Sequence, residues 1–395
     1  MTSPTLLGQL SNLHEMSRQL LLSIPAEETT RQFHPELPPL NWLYGRGVYL
    51  ELLWLRAFLA QDDTLTHPVH HLFTPGDLTW AQQSDRLPPL EHLIRWADEI
   101  RDEHLRRLAT PGALGDHPYL ANDRLAWFLL QELAKLYEQM LLVLNQRRKL
   151  QPQDHRCNQP LSPTTPNWEI RELSQGHYRI GARNEPRAYD NELPPQAVEL
   201  SSFRIALTPV SNAQYLAFME AGGYADETLW SETGRQWLHS SAPHHPEYWL
   251  QDTAGNWYES VVNGNSDLPP NEPVAGINRH EAEAFAQWIS GLSDEFKGAV
   301  LQHEYQWEIA ARSGVLQQTG RVWEWCGNPF HTYPDYRPFP HHQPEADGRQ
   351  SILRGASLHT PQVLRRASLR HWAPPSAHHH LVGIRLVFPA RHQWS

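Results

Sequence analysis

Apolar positions in the first 150 residues recur at helical spacing. Thr5–Ser23 carries Leu6, Leu10, Leu13 and Leu20 to Leu22, and Asn41–Ala60 carries Trp42, Leu43, Tyr49, Leu50, Leu53 and Trp54. Pro89–Leu108 carries Leu90, Leu93, Ile94, Trp96, Ile100 and Leu105, with Glu91 in its first turn and Arg106 and Arg107 in its last. Those charges complement a helix dipole. Asp123–Lys149 follows the i, i+3, i+4 template through Leu125, Phe128, Leu129, Leu133, Leu136, Tyr137, Met140 and Leu144. Four long amphipathic segments predict a four-helix bundle over 1–150.

The pattern stops at Gln151–Trp168, where QPQDHRCNQPLSPTTPNW holds four prolines and almost no apolar residues. This composition predicts a linker over 151–168. From Glu169 the texture changes to short strand-like runs: Tyr178–Gly181, Ala197–Leu207 and Leu381–Phe388. Two helical segments interrupt them, Asn212–Glu220 behind the N-cap residue Ser211 and His280–Ser290. Gly, Pro, Asn and Trp dominate elsewhere, so 169–395 reads as an irregular domain, and the whole chain as α+β.

Composition narrows the function classes. The 395 residues carry a formal net charge of -11, against nucleic acid or an anionic membrane as partner. The two cysteines, Cys157 and Cys326, build no disulfide framework and suit a reducing compartment. Met1–Leu22 lacks a basic n-region and an unbroken apolar core, and no window approaches the ~18 apolar residues of a span. Cytoplasm is therefore the expected location. The 24 histidines invite a metal reading, tested below position by position.

Six blocks carry a resemblance. AYDNELPPQAVELSSFRIALTPVSNAQYLAFMEAGGY (188–224), PVAGINRHEAEAFAQWI (273–289), YQWEIAARSG (305–314), RVWEWCGNPFHTYPDYRPFP (321–340), ILRGAS (352–357) and LRHWAPP with GIRLVF (369–388) stand in order. Together they resemble the formylglycine-generating-enzyme, or sulfatase-modifying-factor, superfamily. The short gap from YQWEIAARSG to VWEW, with FHTYPDY after it, is similar to the sulfoxide synthases of ergothioneine, ovothiol and selenoneine biosynthesis. In those enzymes a DinB-like four-helix bundle precedes a C-type-lectin-like domain. PPLNWLYGRGVYLELLWL (38–55) and DDTLTHPVHHLF (62–73) resemble that bundle more weakly.

The resemblance implies a non-haem iron held by three histidines, one four residues after a Trp and two in an HxxxHxE motif on the last bundle helix. Here those positions read Arg46, Leu133 and Tyr137, or Glu132, Leu136 and Glu138 with the last-helix motif shifted by one residue; neither register supplies a histidine, and none occurs from 118 to 154. Leucine has no donor atom and arginine is a permanent cation, so neither binds iron. The implied proton-donating tyrosine is Phe330, three residues before Tyr333. The residues after Trp372, Ala373 to Ala377, carry no charge where the relatives grip substrate. The copper chemistry of the formylglycine-generating branch needs a cysteine pair, and Cys326 is alone in its domain.

The expectation is a degenerate sulfoxide-synthase-like protein with no cofactor, acting as a small-molecule-binding or regulatory partner. Phe330, Tyr333, Arg370 and Trp372 should line a pocket between the domains. Arg370 would grip a carboxylate and an aromatic face would hold a trimethylammonium group. The ligand would be a histidine betaine or a thiol, and an active paralogue is a second possible partner. The alternative is an active iron oxidoreductase of the ergothioneine or selenoneine synthase type, with relocated ligands. His67, His70, His71 and the tract His378–His380 are expected in solvated loops, with the tract the one place left for a metal held by other residues. Glu324 is expected to accept core hydrogen bonds, Arg354 and Arg385 to form buried pairs, and Glu281 and Glu283 to lie on a solvated face.

Overall fold

Ser3 starts the first helix, its hydroxyl accepting from the Leu6 N–H at 3.4 Å. The computed structural model describes residues 2–151, 153–183, 185–241, 244–340 and 348–391. The chain divides into two compact units. The first comprises residues 1–151 with the short stretch 361–364, and the second the remainder of 152–395.

The first unit contains four long helices: α1 (Pro4–Leu22), α2 (Leu40–Glu51), α5 (Leu90–Ala109) and α6 (Arg124–Leu150). Two short ones, α3 (His70–Phe73) and α4 (Trp80–Ser84), lie between α2 and α5. Each long helix packs on its neighbours, α1 on α5 and α6, and α2 on α5 and α6. The apolar stripes legible in the sequence form the shared core, with Leu10, Leu43, Leu93 and Leu129 all buried. At its C-terminal end α2 widens into a π-helical stretch, Leu52–Phe58.

Polar side chains also enter this core. Glu51 takes His14 Nε2 at 2.9 Å, His104 Nδ1 at 3.3 Å and Arg101 Nε at 3.6 Å, all four side chains at or near full burial. Burial lowers the His14 pKa, opposed by the Glu51 charge. A buried carboxylate persists only with such partners.

Among its described residues, the second unit is built from short strands in four sheets. One orders β1 (Ile170–Leu173), β4 (Phe203–Ala206), β13 (Leu386–Pro389) and β8 (Val300–Leu301). Another orders β11 (His371–Ala373), β10 (Ser351–Gly355), β9 (Trp323–Pro329) and β12 (Val382–Gly383). β2 (Gly176–Ile180) pairs with β3 (Gln196–Leu200), and β5 (Trp249–Gln251), β6 (Trp257–Val261) and β7 (Gly264–Asp267) form a meander. Helices α7 (Asn212–Glu220), α8 (Glu232–Ser241), α9 (Arg279–Leu292) and α10 (Glu304–Arg312) complete the unit. α7, α9 and α10 each begin with a capping box, on Ser211, Asn278 and His303.

Two strands read as continuous are each divided. Ala197–Leu207 becomes β3 and β4 because its halves pair in different sheets, with β2 and with β1. Leu381–Phe388 becomes β12, parallel to β9, and β13, antiparallel to β4.

The described residues of the proline-rich stretch carry no helix or strand, yet the stretch is not a loose tether. Gln153 O accepts from Asn265 Nδ2, Thr164 N donates to Ala213 O, and the Trp168 ring packs edge-on against Phe296. Backbone groups that prolines leave out of regular structure are satisfied here by side-chain and backbone groups of the second unit.

Candidate functional site

In the helical unit, α2 and α6 pack side by side and carry the positions that the resemblance assigns to iron. Gly47 leaves room for this approach: a Cβ there would stand 3.1 Å from Leu133 and 3.7 Å from Leu136. Arg46 donates to the Phe73 carbonyl, and its guanidinium lies 5.1 Å from the Tyr49 ring centroid. Burial lowers the Arg46 pKa, opposed by Tyr49 and Glu132. Leu133 is buried in the core, and burial raises the Tyr137 phenol pKa, which keeps it protonated. An aliphatic side chain, a cation and a neutral phenol do not form a ligand set for a ferrous ion. The Tyr49 hydroxyl meets His70 Nδ1 at 2.7 Å, while His67, His70 and His71 are exposed.

In the second unit, Phe330, Tyr333, Arg370 and Trp372 come together although about forty residues separate the two pairs. The sheet explains it. β10 lies between β9 and β11, with Ile352 opposite Trp372 and Ser351 opposite Pro329. This sets Phe330, the residue after β9, against Trp372, their rings stacked at 4.7 Å. Arg370 lies 4.1 Å from the Tyr333 ring and 5.0 Å from the Phe330 ring.

Arg370 is engaged inside the unit. It donates to both oxygens of Glu304, at 2.8 and 3.0 Å, to Asn191 O at 3.0 Å and to His331 O at 2.6 Å. At 1% exposure, with four of its five N–H donors used internally, it does not present a fork to a ligand carboxylate. The expectation of a carboxylate grip thus gives way to an internal ion pair. Burial would raise the Glu304 carboxyl, but the charge and hydrogen bonds of Arg370, together with Arg354 and His303, hold the pKa below the usual range. The Tyr333 hydroxyl is buried with no hydrogen-bond partner among the described residues, and burial pushes its pKa far above the ordinary phenol value. Of the four, Phe330, Tyr333 and Arg370 are buried and Trp372 alone keeps a partly exposed surface.

Two further arginines in this unit form buried pairs. Arg354 pairs with Glu308, which also accepts the Gly181 N–H at 2.8 Å. Arg385 forks onto Glu324 at 2.8 and 2.9 Å, and Glu324 accepts from Trp307 Nε1 at 2.9 Å and Gln302 Nε2 at 3.0 Å. Glu304 and Glu308 stand four apart on α10, so one helix face offers both carboxylates. Sequence reading missed Glu304 and Glu308; their i, i+4 spacing was the available signal.

Two expectations are corrected. Glu281 is no surface residue: it occupies the third position of α9, is buried, and accepts from Asn278 N at 2.7 Å and Tyr224 OH at 2.5 Å. The capping box turns it inward, whereas Glu283 stays partly exposed against Arg279 at 2.9 Å. The tract His378–His380 is likewise not a solvated loop. His379 is buried, and His378 Nδ1 lies 3.2 Å from the buried Glu247. Its carbonyls and rings are drawn in where Tyr248 OH donates to His379 O.

The comparisons with known proteins bear on this second unit. The profile of the sulfatase-modifying factor enzyme 1-like domain matches residues 162–319 and 313–390, over half of the chain, and the chain belongs to that family. Hercynine oxygenase of Mycolicibacterium thermoresistibile is 27% identical over 257 residues, 54% of this chain and 57% of that protein. Hercynine oxygenase of Mycobacterium tuberculosis is 27% identical over 256 residues, 53% of this chain and 58% of that protein. Formylglycine-generating enzyme of Thermomonospora curvata is 32% identical over 155 residues, 36% of this chain and 48% of that protein. The matched part of the chain thus spans little more than half the length of these hercynine oxygenases.

Proposed function

We propose that this sulfatase-modifying-factor family member is a degenerate relative of the sulfoxide synthases, without the family's iron site, that serves as a small-molecule-binding or regulatory partner. The observation that carries the reading is the side-chain set Arg46, Leu133 and Tyr137 on α2 and α6, which offers no ligands for iron. Phe330 supports it: a buried ring stacked on Trp372 has no hydroxyl to donate a proton. Trp372 is the residue left to meet a ligand, since Arg370 is spent on Glu304. A partly exposed indole suits the cationic head of a histidine betaine, a contact worth ~0.5–2 kcal/mol. Partnership with an active paralogue is a second route to the same regulatory role.

The similarity to hercynine oxygenases favours one competing reading, an active iron oxidoreductase with relocated ligands that joins sulfur or selenium to a histidine betaine. Anaerobic loading with ferrous iron, followed by metal analysis and oxygen uptake with hercynine and γ-glutamylcysteine, separates the two. The proposal expects iron well below one equivalent, no oxygen uptake, and calorimetric binding of hercynine that Trp372→Leu weakens. Stoichiometric iron with turnover would establish the competing reading instead.

A further inference from the structure

We propose that His155, Cys157 and Asp267 form a site for a zinc-class divalent cation that fastens the proline-rich stretch to the β6–β7 hairpin. One nitrogen, one sulfur and one oxygen donor from these residues lie within 4.8 Å of one another. Imidazole, thiolate and carboxylate are the three ligand types zinc takes, at ~2.0–2.3 Å. Those bond lengths imply donors about 3.3–3.8 Å apart in a tetrahedron, so the His155–Asp267 contact at 2.9 Å opens slightly when an ion enters.

The surroundings hold the ligands in place. His155 Nε2 lies 2.9 Å from Asp267 Oδ1, and its ring packs 4.7 Å from Tyr258. The second Asp267 oxygen accepts from Asn158 N at 2.9 Å and Gln159 N at 2.8 Å, which orients the carboxylate. Cys157 N donates to Asp252 Oδ2 at 3.1 Å, which fixes the turn that carries the sulfur. Two carboxylates beside a thiol are a poor setting for a thiolate alone and a good one for a thiolate bound to a divalent cation, whose charge reverses the balance. The His155 and Asp267 side chains are 17% and 23% exposed, so an ion has a path in and water can take a fourth position.

The placement separates this site from the family's shared chemistry. His155 and Cys157 precede residue 162, where the family profile begins, while Asp267 lies inside it on β7. The ion would tie together positions 112 residues apart, closing a long loop through the proline-rich stretch.

The test uses the full-length protein, stripped of metal and titrated with cobalt(II) and then zinc(II). We expect one equivalent of cobalt to raise a thiolate-to-cobalt charge-transfer band in the near ultraviolet, and zinc to displace it. Cys157→Ser should abolish the band, Cys326→Ser should keep it, and Asp267→Asn should weaken cobalt affinity at least about 10-fold. Zinc should also slow proteolytic cleavage within 151–168 in the native protein but not in Cys157→Ser. The band requires sulfur, so cobalt on any of the other histidines does not produce it. Absence of the band from the native protein, or its persistence in a Cys157→Ser protein of unchanged circular dichroism, overturns the proposal.

Discussion

Arg370 clasps Glu304 with two hydrogen bonds, Nε to Oε2 at 2.8 Å and Nη2 to Oε1 at 3.0 Å, and both side chains are out of solvent. This pair ties the segment before β11 to the first turn of α10. Removing one partner strands the other's charge, so Arg370→Met should cost ~3–5 kcal/mol in urea unfolding. The double variant Arg370→Met with Glu304→Met removes both charges and should recover much of that loss. Equal losses in the single and double variants would mean that packing, not the ion pair, carries the effect.

Phe330→Tyr restores a hydroxyl at a position with 0% exposure, against the stacked face of Trp372. An unpaired hydroxyl there should destabilise the protein by about 1–3 kcal/mol, read as a lower urea midpoint. Oxygen uptake should not appear in the variant, because the α2 and α6 positions still lack iron ligands. A stabilised variant would show that the hydroxyl finds a partner.

Gly181 has φ +80, and a Cβ built on it would stand 2.7 Å from the Glu192 carbonyl oxygen and 3.2 Å from the Tyr333 ring. Gly181→Ala should therefore cost at least about 1–2 kcal/mol from the left-handed backbone alone, with the steric clash in addition. Thermal denaturation measures it. A variant of native stability would place the glycine outside the packing that fixes Tyr333.

Glu281 gives stability a pH signature. Burial, aided by Glu247 and opposed by hydrogen bonds from Tyr224 and Asn278, raises its pKa from 4.5 to about 8. The folded state therefore holds a proton that the unfolded state releases, so this contribution is complete below pH 4.5. It is lost as pH rises towards 8, at up to about 1.4 kcal/mol per unit. Glu281→Gln keeps a neutral side chain at every pH. Its stability relative to the parent should rise between pH 4.5 and 8 and level off above. A constant difference across that range would contradict the assignment.

The four long helices were legible because apolar positions at i, i+3 and i+4 report burial of one face whatever that face packs against. The family blocks were legible because turn-forming glycines and large aromatics keep their order along the chain. That Arg46 and Leu133 bring no metal-donor atom needed only the chemistry of two side chains. Other features depended on partners remote in sequence. Ala197–Leu207 reads as one strand, since nothing local says that its halves belong to different sheets. Arg370 reads as a ligand grip until Glu304, 66 residues earlier, takes all its charge. Glu281 reads as a solvated helix residue until the capping box at Asn278 turns it towards Tyr224. His155 and Cys157 read as linker polarity until β7 brings Asp267 beside them. Local pattern determined which segments form elements and which side chains stand at the positions that the resemblance assigns. Tertiary structure alone decided which charges are spent on one another, because pairing depends on distances that sequence separation does not carry.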